Sequence, residues 1–256
     1  MKLLASDYDG TLKRPNVSKS DIDAIKRFRA SGNLFGIVTG RTLALIIPEL
    51  KRFGVPYDFV IGVNGAIMVD SKHNLIFKHI IDEAMCQKFV DYALQSDAKF
   101  VAKSDGVYIK QILGRHRFIS KIWLTLMGLG YKMVAKTTSF SEIASFVVTG
   151  RDSQHTLHLC SEIDERFGYY LEYHRNKETI IDISVKNISK YSGVKEAQNY
   201  FNVEKVFVIG DSYNDLPMLD GFNGFSVSSA MIEIKERASK VFDDFDQLVE
   251  YLLNYE

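Results

Sequence analysis

The sequence predicts an α/β fold: a doubly wound parallel-sheet core domain with a smaller α/β cap domain inserted into it. Three observations predict it. Strand and helix patterns alternate at both ends of the chain, and the stretch between them changes to helix-plus-strand-pair units. Polar clusters also stand directly after successive apolar runs, which is where the carboxyl ends of parallel strands collect ligands.

Residues 3–6 form a short apolar run ending in polar and glycine residues, which suits a buried parallel strand that delivers Asp7 at its carboxyl end. Ser18 or Ser20 can cap a helix whose apolar positions Ile22, Ile25 and Phe28 recur at helical spacing, with Gly32 as the stop. A second buried strand spans 34–38 and ends at Thr39-Gly40-Arg41. Residues 42–53 carry helical periodicity that Pro48 is expected to break or kink. A third strand covers 59–61. Asn64-Gly65 then signals a hairpin, with a ribbon over about residues 66–78.

From Asp82 the pattern predicts a helix over 83–95, strands near 99–103 and 106–110 around Ser104-Asp105-Gly106, a helix near 115–127 and a strand near 131–134. A strand over 145–149, a helix over 152–167 and a hairpin of 168–173 with 179–183 follow, the turn placed at Arg175-Asn176-Lys177-Glu178. Alternation returns with a helix over 189–200 and a strand over 205–209, which runs into the loop Gly210-Asp211-Ser212-Tyr213-Asn214-Asp215. The expected division is therefore a Rossmann-like core of residues 1–81 and 187–256, with 82–186 as the cap, a size compatible with a core of its own.

Lysine plus arginine and aspartate plus glutamate each total 32, so no net charge points to nucleic acid or an anionic membrane surface. Apolar residues make up 46% and charged ones 25%, the balance of an ordinary globular protein. The beginning of the sequence lacks the apolar core of a signal peptide, and no run approaches the ~20 apolar residues needed to span a bilayer. Cys86 and Cys160 stand alone, without CxxC spacing, and read as reduced thiols. Together these features make the cytoplasm the expected location.

Four polar clusters fall at predicted strand ends: Asp7 with Asp9, Thr39, Asn64, and Asp211 with Asp215. Scattered surface residues would have no reason to follow successive apolar runs, so a shared site is expected. Taken alone, Asp7-Tyr8-Asp9-Gly10 is equally an acidic turn, and Thr11, Leu12 and Lys13 do not continue a calcium loop. Several carboxylates brought together need a cation or proton, and Mg²⁺ is the natural candidate because it favours a few carboxylates, water and phosphate oxygens.

These residues resemble the haloacid dehalogenase superfamily of phosphohydrolases, in the subgroup with a large α/β cap inserted late in the core. Asp7-Tyr8-Asp9-Gly10-Thr11 resembles the first motif, Val38-Thr39-Gly40-Arg41 the second, Lys190 the third and Gly210-Asp211-Ser212-Tyr213-Asn214-Asp215 the fourth. The resemblance implies that Asp7 attacks phosphorus and forms an aspartyl-phosphate, while Asp9 protonates the leaving oxygen and then activates water. It further implies that Asp7, Asp211 and the backbone carbonyl of Asp9 hold Mg²⁺. Thr39, Gly40, Lys190 and Asn214 would bind the phosphoryl group, and Asp215 would orient the metal shell or Lys190. Superfamily members that cleave carbon–halogen bonds lack the second acid, so Asp9 favours phosphoryl chemistry. Two departures stand out: Tyr191 follows Lys190 where a small glycine is usual, and Ser228-Ser229 replaces a glycine-asparagine pair.

The function expected on that basis is a Mg²⁺-dependent phosphatase acting on a small phosphorylated metabolite such as a sugar phosphate. The alternatives are a phosphomutase or a silent phospho-ligand-binding regulator. Substrate specificity is expected from Arg41 and Asn64 in the core and from Arg175 and Lys177 in the cap, where solvated tip charges are the bland alternative. His155 and His158 lie three apart on a predicted helix and read as a surface pair for want of a third ligand. Trp123 is expected to fill a core.

Overall fold

The computed structural model describes residues 1–114 and 142–255. The helix expected near 115–127, the strand near 131–134 and Trp123 lie outside the described residues.

The chain opens with β1 (Lys2–Ser6), α1 (Lys19–Ala30), β2 (Leu34–Val38), α2 (Leu43–Phe53), β3 (Phe59–Gly62), β4 (Ile67–Asp70) and β5 (Leu75–Lys78). Ser18 caps α1 by accepting a hydrogen bond from the amide of Asp21, and Gly32 beyond its end takes φ +78°. Of the break or kink expected at Pro48, the break does not occur: α2 runs continuously through it. The proline forfeits the amide that would bond the carbonyl of Ala44, but burial of Leu43, Ile46 and Leu50 along one face outweighs that loss.

Next come α3 (Glu83–Gln95), β6 (Phe100–Ser104), β7 (Ile109–Gly114), β8 (Ser145–Thr149), α4 (Ser153–Phe167), β9 (Leu171–Lys177) and β10 (Ile180–Val185). The remainder is α5 (Lys190–Phe201), β11 (Lys205–Gly210), α6 (Leu216–Gly221), β12 (Asn223–Val227), α7 (Ile232–Arg237), β13 (Lys240–Phe242) and α8 (Phe245–Leu253).

Two sheets organise these elements. The first has the order β13-β12-β11-β1-β2-β3-β4-β5, parallel from β13 to β3 and antiparallel at β3-β4-β5. Its strands and helices share one buried apolar cluster that includes Leu3, Phe35, Phe59, Phe207 and Phe245. The second is fully antiparallel, with the order β7-β6-β8-β10-β9. It has its own cluster, centred on Phe89, whose ring lies 4.5 Å from that of Phe146 and 5.3 Å from that of Phe167.

In the first sheet β1 is flanked by β2 on one side and β11 on the other, although some 170 residues separate those neighbours in sequence (34 to 205). The chain therefore leaves β1 in one direction and returns on the opposite side, which makes the carboxyl end of β1 a topological switch point. The amide of Asp7 still bonds the carbonyl of Ile209 at 2.9 Å, so the β1–β11 pairing continues to the residue that enters the crevice.

One local expectation is met and one needs correction. Strands β3 and β4 pair as the expected hairpin, across the short 3₁₀ turn Val63–Gly65. In the second sheet, β9 continues through Arg175 to Lys177, so the hairpin turn lies at 178–179 and not at Arg175-Asn176-Lys177-Glu178. β9 is an edge strand, where charged side chains are tolerated and discourage pairing with other chains. A polar run there mimics turn composition.

Candidate active site

Asp7, Thr39, Asn64 and Asp211 follow β1, β2, β3 and β11 respectively. All four are half-buried or buried, and a pocket between them is lined by Asp7, Asp9, Thr39, Gly40, Arg41, Ser212 and Asn214.

Lys190 is the floor of this site. It is the first residue of α5, 1% exposed, and its Nζ donates to Asp7 Oδ1 and Asp215 Oδ1, each at 2.6 Å. Its place is set by a reciprocal cap in which Ser189 and Ser192 bond each other's backbone amides. One turn into α5, Gly193 lets the helix approach the 63–65 turn: a Cβ there would come within 2.9 Å of the Cα of Gly65. Tyr191 does not disturb the lysine. Its ring turns away to pack on Phe222 at 5.1 Å and over Gly221, where a Cβ would fall 2.2 Å from it. The other departure, Ser228-Ser229, lies exposed.

Burial, opposed by the charge of Lys190 and reinforced by Asp215 and Asp211, pushes the Asp7 carboxyl well above the usual carboxylate range. Burial also raises Asp211, against a hydrogen bond from Thr11. For Lys190 burial acts downward, but Asp215 and Asp7 outweigh it and hold the ammonium protonated. Three carboxylates therefore crowd one lysine, a burden that protons on Asp7 and Asp211 or a divalent cation would relieve, and the cation would leave Asp7 ionised.

Oxygen atoms of Asp7, Asp211 and Asp215 lie within 4.8 Å of one another. The hydrogen bonds sort them. Asp215 spends Oδ1 on Lys190, and its Oδ2 accepts from the amides of Asp211 and Ser212, both at 3.0 Å, and from the Ser212 hydroxyl. Asp215 is thus a buttress of the loop. Asp7 Oδ2 is buried without a hydrogen-bond partner, and Asp211 accepts from Thr11 through Oδ1 at 2.6 Å. The donor set that suits a hard cation is then Asp7 with Asp211. Gly10 leaves the space for it: with φ +93° it sits so close that a Cβ would lie 2.2 Å from Asp211 Oδ2.

Asp9 lines the same pocket. Arg41 grips both its oxygens, Nε to Oδ2 at 2.6 Å and Nη2 to Oδ1. Glu49, on α2, holds Arg41 in turn through Nη1 at 2.6 Å and also accepts from Lys13 and the Tyr8 hydroxyl. The Arg41 guanidinium lies 5.2 Å from the centre of the Tyr8 ring. Thr39 Oγ1 accepts from the amide of Arg41 at 3.2 Å. Glu49 carries no sequence signal: its only hint is its spacing on a helix after Arg41.

Among the expected specificity residues, Arg41 lines the pocket and Asn64 lies beneath it, 2% exposed. Arg175 is in β9 opposite Ile181, in line with Tyr173, and its charge neighbours Cys160 and Tyr173. That places it on the side of the second apolar cluster, away from the pocket. Lys177 ends the same strand. His155 bonds Asp97 through Nε2 at 2.7 Å, and Cys86 and Cys160 are free thiols.

A carboxylate and lysine cluster at the switch point of a parallel α/β sheet, with a second antiparallel sheet inserted in the chain, defines a doubly wound α/β core with an inserted cap. The chain belongs to the haloacid dehalogenase-like hydrolase family, which matches residues 4–248. It is 23% identical, over 96% of its length and 94% of the relative's, to a 5-amino-6-(5-phospho-D-ribitylamino)uracil phosphatase of Bacillus subtilis. It is 22% identical, over 99% of its length and 98% of the relative's, to a pyridoxal phosphate phosphatase of Escherichia coli. A solved subclass IIB sugar phosphatase of the same superfamily superposes with a TM-score of 0.81 at 21% identity, covering 100% of this chain and 99% of that one. Among the described residues no helix is long and apolar enough to cross a membrane.

Proposed function

We propose that this protein is a Mg²⁺-dependent phosphatase that hydrolyses a small phosphorylated metabolite in the cytoplasm, a sugar phosphate being the favoured class. The observation that carries the reading is the asymmetry of Asp7. Lys190 fixes the carboxylate through Oδ1 while Oδ2 is buried without a hydrogen-bond partner, so Asp7 is oriented at the pocket and keeps an oxygen open for a cation, as expected of a nucleophile that is also a metal ligand.

In the first step an oxygen of Asp7 bonds phosphorus as the bond to the leaving oxygen breaks, and Asp9 delivers a proton to that oxygen. In the second step Asp9 takes a proton from water, the water oxygen attacks phosphorus, and the bond to Asp7 breaks to release inorganic phosphate. Lys190 offsets charge on the transferring oxygens, and Thr39 and Gly40 at the end of β2 hold the phosphoryl group. Magnesium held by Asp7, Asp211 and the Asp9 carbonyl would supply further charge neutralisation. Asp9 must turn from Arg41 to reach the leaving oxygen. Residues 1–81 and 187–256 form the catalytic core in this reading, and residues 82–186 form the cap that covers the leaving group and selects it.

The test is a panel of phosphorylated metabolites, phosphosugars among them, assayed for phosphate release with and without Mg²⁺, beside Asp7→Asn. Magnesium-dependent release that Asp7→Asn abolishes supports the proposal. Isomer formation without release would instead indicate a phosphomutase, and binding without turnover a regulator.

A further inference from the structure

The turn between β3 and β4 touches three of the phosphoryl-handling segments at once, those of Thr39, Lys190 and Asn214. The amide of Asn64 donates to the carbonyl of Thr39 at 3.0 Å. Its side-chain Oδ1 accepts from Asn214 Nδ2 at 3.0 Å, and its Nδ2 donates to Asp182 Oδ2 on β10 of the inserted sheet, also at 3.0 Å. The next residue, Gly65, has φ +108°, and a Cβ on it would lie 2.1 Å from the carbonyl oxygen of Ser189, the cap of Lys190's helix. Asn214 passes the connection on, because its Oδ1 accepts from the Ser212 hydroxyl at 2.7 Å and that hydroxyl also bonds Asp215.

All three side chains in the chain Asp182–Asn64–Asn214 are buried, at 8%, 2% and 5% exposure. Buried hydrogen bonds of this kind fix geometry, since breaking one leaves a polar group without water. Asn64 has φ +51° and ψ +35°, a left-handed conformation that asparagine and aspartate tolerate better than most residues. At 2% exposure, with Oδ1, one Nδ2 hydrogen and the backbone amide engaged inside the fold, Asn64 faces its neighbours rather than the pocket. A specificity role for Asn64 by direct contact therefore gives way to a different one.

We infer that Asn64 is a positioning residue that ties the cap to the acidic loop, holding residues 211–215 in register only while Asp182 is docked against it. The inference rests on the phosphatase reading for its catalytic consequence but not for its structural one. With the cap seated, Asn64 is locked between Asp182 and Asn214. With the cap displaced, Asn64 loses its partner, and the loop that carries Asp211 and Asp215 loses one of its supports. The site is thereby fully assembled only under the cap.

The test reverses the hydrogen bond. Asn64→Asp keeps the acceptor for Asn214 but loses the donor to Asp182 and sets two carboxylates face to face. N64D/D182N restores a pair with donor and acceptor exchanged and the same net charge. Amide hydrogen exchange is read over residues 211–215, a measurement that needs no turnover. N64D is expected to speed exchange there about tenfold, the loss of roughly one buried hydrogen bond, and the double variant to return it to the native rate. Asp182→Ala, which removes the cap partner and leaves the turn untouched, should match N64D and serves if N64D does not fold. Unchanged exchange in N64D or Asp182→Ala, or a double variant no slower than N64D, would overturn the inference. Phosphate release by the unmodified protein is measured alongside: its absence from the whole panel counts against the phosphatase reading, while the exchange result still decides the role of Asn64.

Discussion

Lys190 Nζ lies 2.6 Å from Asp7 Oδ1, and both side chains are buried, so the lysine is at once the anchor of the proposed nucleophile and its electrostatic counterweight. Its second carboxylate, Asp215, ties it to the loop that follows β11.

Lys190→Met removes that counterweight without opening a large cavity. Two buried acids then lack their cation, and breaking a buried pair by removing one partner costs about 3–5 kcal/mol. We expect a loss of that order in urea denaturation at neutral pH, together with a fall in kcat of about 10²–10³, the effect of deleting one strong donor to the transferring group. A variant of unaltered stability would contradict the assigned ion-pair geometry.

Gly10 sets the distance between the first acidic segment and Asp211. Ligand binding stabilises a fold by about 2.7 kcal/mol at one hundred times its dissociation constant, so saturating Mg²⁺ should raise the melting temperature measurably. Gly10→Ala puts a Cβ 2.2 Å from Asp211 Oδ2 at φ +93° and must displace that carboxylate. We expect this variant to need at least tenfold more Mg²⁺ for the same thermal shift. An identical titration midpoint in both proteins would argue against Asp211 as a metal ligand.

What the sequence made legible follows from the kind of force involved. Strands buried on both faces read as continuous apolar runs, so the ends of β1, β2, β3 and β11, with Asp7, Thr39, Asn64 and Asp211 after them, were visible before any contact was known. Lys190 could be picked out only by its order along the chain, because a helical lysine looks the same whether it faces solvent or Asp7. Glu49 was invisible for the same reason: its partners Lys13, Arg41 and Tyr8 come from other segments. Pro48 and the run Arg175-Asn176-Lys177 misled in opposite directions. Burial overrode a breaker in α2, and an edge strand used residues whose composition mimics a turn. Asn64-Gly65 signals a turn by composition alone, but the dual engagement of the Asn64 amide depends on two residues more than one hundred positions away.

Glu49 permits a prediction in pH. Burial alone would raise its carboxyl, but the hydrogen bond from Lys13 and the charge and hydrogen bond of Arg41 outweigh it, and the group ends below the ordinary glutamate value. A carboxyl depressed in the folded state contributes stability that is fully present above its unfolded pKa, about 4.3, and is lost as pH falls through the folded value. Glu49→Gln keeps the shape and removes the charge, so it should destabilise the protein by about 1–2 kcal/mol at neutral pH. The gap between the two proteins should narrow progressively below the ordinary glutamate value, as the native carboxyl itself takes up a proton. Urea denaturation of both proteins at neutral and acidic pH measures the gap directly. If it stayed constant across that range, the contribution of Glu49 would be one of packing, and the chain of charges that holds Arg41 against Asp9 would not depend on its ionisation.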